Sequence, residues 1–183
     1  MAGGEKLRLF CAYPLPPASV AEIAAWQHEH LRGPAGQGAR LVPPENLHVT
    51  LAFLGSRPAG DVPAIGRALA DAAAGSGPSA LQPVSFRQGR GVGMIVCNDA
   101  AGTAGAFAAE VAERLEALGV YRREARAWLP HVTVLRSKRG GGASLPVANI
   151  RSINVVRAAL YASALRPTGA HYDVLETVAL GGR

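Results

Sequence analysis

The sequence predicts an α+β protein built as two related lobes, and three observations carry that prediction. Three stretches have helical periodicity and sit among many short apolar runs of strand character. The triplet His-Val-Thr occurs twice, at 48–50 and 131–133, each time in an apolar run that a proline precedes. The approach to the two triplets is also alike. A helix closes on Gly33 or Gly119, a short basic segment and a proline follow, and the histidine comes 15 or 12 residues after the glycine. Two copies imply an internal duplication and are too few for a solenoid.

The elements follow in order. "KLRLFCAY" (6–13) is a short apolar run stopped by "PLPP" and reads as a strand. "SVAEIAAWQHEHLRG" reads as a helix: Ser19 and Glu22 form a capping box, Val20, Ile23, Ala24 and Leu31 share a face, and Gly33-Pro34 ends it. A second helix fits 62–74, with Val62, Ile65, Leu69 and Ala72 on one side; a third fits 103–118, along Phe107, Val111, Leu115 and Leu118. Strands are expected at 40–43, 46–54, 80–87, 93–97, 123–128, 131–136, 152–164 and 171–180. "RQGRGVG" (87–93) reads as a glycine-rich hairpin turn, since a phosphate-cradling loop would lead into a helix. "SKRGGGAS" (137–144) reads as a mobile loop.

Composition narrows the function classes. Apolar residues make up 49% of 183 residues, enough for a buried core, and no apolar stretch approaches the ~18 residues needed to cross a bilayer. "MAGGEKLR" lacks the apolar core of a signal peptide, so the chain is expected to be soluble and cytoplasmic. Cys11 and Cys97 lie in apolar runs without metal or redox spacing and read as buried free thiols. The net charge of +6 rests on arginine, with lysine only at Lys6 and Lys138; guanidinium grips phosphate in two-pronged fashion, which favours anionic partners.

The repeated triplet is where chemistry concentrates. Strand side chains alternate between faces. In 46–54, Leu47, Val49, Leu51 and Phe53 form an apolar face, while Asn46, His48, Thr50 and Ala52 share the other. In 130–135, Val132 and Val134 oppose His131 and Thr133. Five histidines and five threonines placed at random would give well under one such triplet, so two in matching contexts point to a paired site. Imidazole titrates near neutrality, so two facing histidines supply an acid and a base, and hydroxyls beside them can hold an anion. That set suits in-line displacement at phosphorus and needs no metal or other cofactor. His28 and His30, two apart on a helix, point in different directions and are expected to be solvated; His171 is expected on an edge strand.

"RLFCAY", "VPPENLHVTLAFLG", "PHVTVLR" and "LYASALRPTGAHYDVLETVAL" resemble the two-histidine (2H) phosphoesterases. Within that superfamily they resemble the RNA 2′,3′-cyclic phosphodiesterases, also called LigT-like or 2′-5′ RNA ligases. The resemblance implies one bilobal domain over 1–183: two antiparallel sheets facing a central cleft, helices outside, and one His-x-Thr-x motif per lobe (48–51 and 131–134). It implies hydrolysis of RNA 2′,3′-cyclic phosphate ends to 2′-phosphomonoesters, with His48 as proton donor, His131 as proton acceptor, and Thr50 and Thr133 on the phosphate. Arg136 matches a family arginine, yet strict alternation puts it on the opposite face from His131, so only a bulge or the strand end can bring it to a phosphate. Ala52 and Leu129 stand where the family often has lysine and arginine, which lowers the positive charge expected near the site. The expected partner is an RNA or oligonucleotide with a cyclic phosphate end, taken by a monomer without metal or membrane. The alternatives are another 2H nucleotide phosphodiesterase, a 2′-5′ RNA ligase, or a non-catalytic RNA-end binder.

Overall fold

In the computed structural model, residues 5–33, 36–137, 144–167 and 169–181 are described. Among them, nine strands and three α-helices follow in the order β1 (Lys6–Pro14), α1 (Pro17–His30), β2 (Ala39–Leu41), β3 (His48–Pro58), α2 (Val62–Ala74), β4 (Ser79–Gln88), β5 (Gly91–Asn98), α3 (Thr103–Ala117), β6 (His131–Ser137), β7 (Ile153–Val155), β8 (Arg157–Arg166) and β9 (Gly169–Ala179). The expected α+β class holds.

The strands run antiparallel in the order β7-β4-β5-β6-β3-β1-β8-β9, with β2 paired to β6. The two triplet strands, β3 and β6, are therefore neighbours at the middle of the order. They join at a single pair, Val49↔Val132. On one side of that seam lie β1, β8 and β9; on the other lie β5, β4 and β7. The first and last thirds of the chain are interleaved in one half, because β1 pairs with both β3 and β8.

Central β1 is buried from Leu9 through Tyr13, as a strand covered on both faces should be. One face meets α3, with Tyr13 stacked on Phe107 at 5.5 Å between ring centroids. The other carries Phe10, stacked on Tyr161 at 4.9 Å. α2 and α3 pack on each other and back β3, β8 and β9. α1 crosses to the other half, where Trp26 meets Phe86 of β4 at 5.4 Å. The helix that precedes the first triplet thus backs the strand of the second. Cys11 and Cys97 are free and buried, and burial pushes both thiols up to about 12, so they stay protonated at neutral pH.

Several local expectations change. α1 begins at Pro17, two residues before the proposed box, and no side chain caps it. Proline at the first helical position needs no N–H partner and brings a helical φ, so the proline pair starts the helix unaided. Ser19 is buried in the first turn, while Glu22 pairs with Arg151. β3 begins at His48, after a 3₁₀ turn at Pro44–Asn46. Residues 123–128 form no strand: all but Trp128 are exposed, and Arg123 and Arg126 bind Glu116 and Glu124. Without an apolar face there is nothing to hold such a segment in a sheet. The expected strand 152–164 is two strands, parted at exposed Val156. The hairpin at 87–93 forms as expected, with Gly91 at φ +90° and Gly89 N donating to Val92 O at 3.0 Å. Residues 138–143 of the expected loop lie outside the described residues. Among the described residues, no helix is long and apolar enough to cross a membrane.

Candidate active site

The two triplet strands hold their histidines by the same device. His48 Nδ1 lies 2.7 Å from Asn46 O, and His131 Nδ1 lies 2.8 Å from Leu129 O. A carbonyl only accepts, so each Nδ1 carries the proton and donates it to the carbonyl two residues back. Each Nε2 is left with its lone pair, and that of His48 sits 3.1 Å from Thr50 Oγ1, whose hydroxyl donates to it. Asn46 is itself anchored, its Nδ2 donating to Ala170 O of β9 at 2.7 Å. This ties the imidazole's support to edge strand β9.

Aromatic rings wall His48 in. Phe10 lies 5.0 Å away, Tyr172 meets it edge-on at 5.4 Å, and Tyr161 is 6.4 Å distant, all between centroids. Burial lowers its pKa from 6.5 to about 4, the hydrogen bond to Asn46 O works against that, and the charges of Arg136 and His131 add to the lowering. Antiparallel order around Val49↔Val132 sets Thr133 across from His48 and His131 across from Thr50.

A cavity of about 240 Å³ opens beside His48, lined among others by Thr50, Arg136, Arg40, Arg8, Phe53 and Tyr172. His131 and Thr133 do not line it; they stand on β6 on either side of Val132, the residue that pairs with Val49 of β3. Arg136 reaches the cavity because β6 is bulged. Met94 pairs with Thr133 and Gly93 with Leu135, so Val134 is an extra residue, and it and Leu135 are both buried. The alternation changes phase there, and Arg136 returns to the face of His131 and Thr133. β3 does the same at the same offset from its histidine. Ala12 pairs with Thr50 and Cys11 with Ala52, leaving Leu51 as the extra residue. Ala52 is therefore buried, 2% exposed, and is not on the cleft face. Phe53 is 46% exposed and lines the cavity, against the expectation that it joins the apolar face. Phe53 and Arg136 occupy equivalent places, five residues after their histidines, and Arg8 lies over the Phe53 ring at 4.6 Å.

Strand-by-strand reading missed Arg8, Arg40, Phe53 and Tyr172. A signal for the bulges was present: both strands place two apolar residues in succession after the threonine, Leu51-Ala52 and Val134-Leu135. Leu129 is exposed and serves through its carbonyl. His30 is partly buried against Trp26 at 5.3 Å and so is not simply solvated; exposed His171 lies on edge strand β9, 3.1 Å from Asp173.

Gly93 lies opposite Leu135, beside the β6 bulge, where there is no room for a side chain. A Cβ there would lie 2.7 Å from Leu135 Cγ and 3.0 Å from Phe86 Cζ. Gly93→Ala is expected to destabilise the protein by about 1–3 kcal/mol, the usual cost of overpacking, as read by chemical denaturation.

The profile of the family described as LigT like phosphoesterase matches residues 14–87. Among curated protein sequences, none matches significantly. Solved structures match along the whole chain. Apo E. coli LigT shares 25% identity at a TM-score of 0.74, covering 98% of this chain and 100% of its own. The protein TT0787 of Thermus thermophilus shares 28% at 0.72, covering 96% and 99%. E. coli LigT complexed with 3′-AMP superposes at 0.80 with 24% identity, covering 97% and 100%. The profile match, the shared fold and the paired His-Val-Thr strands side by side in it together support a place among the LigT-like two-histidine phosphoesterases.

Proposed function

We propose that the protein hydrolyses RNA 2′,3′-cyclic phosphate ends to 2′-phosphomonoesters, as a single two-lobed domain with one His-x-Thr-x motif in each lobe. The observation that carries this reading is the pair of adjacent strands on which each imidazole is pinned through Nδ1 to a carbonyl. That arrangement gives both Nε2 atoms to proton transfer around one phosphorus, with the Thr50 hydroxyl as the resting partner of His48 Nε2. In-line displacement needs a base and an acid on opposite sides of it. Water attacks phosphorus as His131 Nε2 takes its proton, and the P–O3′ bond breaks as His48 gives a proton to the 3′ oxygen. Thr50, Thr133 and Arg136 hold the non-bridging oxygens. His48 is neutral in the empty cleft, because its pKa lies near 4. The negative charge of the phosphodiester opposes the effect of burial and of Arg136, so His48 takes up its proton as substrate binds.

Arg8 and Arg40 in the same cavity favour a polyanionic substrate over a single small phosphate. The complex of E. coli LigT with 3′-AMP supports a nucleotide as the ligand class. The decisive assay digests an oligonucleotide bearing a 2′,3′-cyclic end, with chelator in excess, and locates the phosphate by phosphorus NMR. A 2′-phosphate is expected. A 3′-phosphate would overturn His48 as donor to the 3′ oxygen, and a strict need for added divalent ion would overturn the metal-free mechanism.

A further inference from the structure

α1 reaches the second triplet strand through one polar side chain. Gln27 is 3% exposed, and its Nε2 donates to Val42 O at 3.0 Å and to Val134 O at 2.7 Å. Both partners only accept, so the amide orientation is settled by the bonds themselves. Val42 N also donates to Val134 O, at 2.9 Å. Val134 is the extra residue of the β6 bulge, and its carbonyl has both lone pairs engaged. An apolar side chain of similar size would fill the same space without the cost of burying an amide. The amide therefore matters for the two carbonyls it holds. On β3, Trp128 Nε1 donates to Thr50 O at 2.9 Å, beside that strand's own extra residue.

We propose that Gln27 is a positioning residue: by holding the Val134 carbonyl it locks the β6 bulge, and the bulge keeps the Arg136 guanidinium in the cleft beside His48. Gln27 touches no substrate. Its effect passes through the phase of the strand, because a bulge that relaxes toward regular pairing turns Arg136 to the opposite face. The inference rests on the phosphodiesterase reading to the extent that Arg136 serves a phosphate.

The test is a double-mutant cycle of Gln27→Met and Arg136→Ala in the full chain. Two quantities are followed: kcat/KM on a 2′,3′-cyclic nucleotide, and the affinity for inorganic phosphate by calorimetry. With Arg136 present, Gln27→Met is expected to lower kcat/KM about 10- to 100-fold, the scale of a misplaced substrate-holding group. In the Arg136→Ala background the same change should cost less than about twofold, because the pair acts as a unit. Phosphate affinity should show the same dependence on background. Gln27→Asn, which keeps a polar amide but shortens its reach, covers the case in which the methionine variant does not fold and should show the same loss of effect without Arg136. Equal losses in both backgrounds would mean a merely structural role and overturn the inference, as would no loss in either. Coupling in phosphate affinity without turnover of the cyclic nucleotide by the parent protein would sink the proposed function and leave the role of Gln27 standing. A parent that binds no phosphate and turns over no cyclic nucleotide overturns both.

Discussion

Replacing His131 with alanine is expected to lower turnover of a cyclic-ended oligonucleotide by about 10²–10⁴-fold, the range for one positioned acid or base. His48→Ala should fall in the same range. The double variant should be little worse than either single one, since acid and base act together in one displacement. The two substitutions differ in their effect on folding. His131 is partly exposed and is held mainly by Leu129 O, so its loss should leave the melting temperature nearly unchanged. His48 packs among Phe10, Tyr161 and Tyr172, so His48→Gln is the better probe of chemistry at that position because it refills the space. Steady-state rates together with thermal melts check all of this. Near-parental turnover in a folded His131→Ala protein would remove the two-histidine mechanism.

Acid should destabilise the protein well before its carboxylates titrate. His48 has a folded pKa of about 4 against an ordinary value of 6.5, so the unfolded chain binds the proton first. The stability associated with this group is complete above pH 6.5 and drains away as pH falls toward 4, by at most about 3 kcal/mol, with screening by solvent in the open cleft reducing it. Chemical denaturation at stepped pH should show the loss in the parent protein and a flatter profile in His48→Gln. A cyclic nucleotide bound to the inert His131→Ala variant should raise the titration midpoint of His48, as seen by NMR of its imidazole, because the phosphodiester's charge stabilises the imidazolium. A midpoint that stays low with ligand bound would argue against His48 as the proton donor. A pH-independent difference between parent and His48→Gln would show that burial does not hold the imidazole neutral.

The local elements and the identity of the reactive groups are legible in the amino-acid order alone. Helical spacing located 62–74 and 103–118 almost to the residue, because each has an apolar face and a glycine stop. The repeated His-Val-Thr pointed to β3 and β6, since imidazole and hydroxyl two apart share one side of a strand. What alternation cannot express is an inserted residue. From Thr50 and Thr133 onward the period-two reading put Ala52, Phe53 and Arg136 on the wrong faces, because Leu51 and Val134 each take no place in the ladder. Tertiary structure also decided who meets whom. α1 precedes the first triplet yet backs the second, and β8 and β9 come last yet complete the first half. Arg8 and Tyr172 therefore enter the cleft from strands distant in sequence, and Arg40 enters it from the short basic segment before the first triplet. No local pattern marks Arg8 or Tyr172, because the contact that gives each its role is made across the sheet, after the chain has closed on itself.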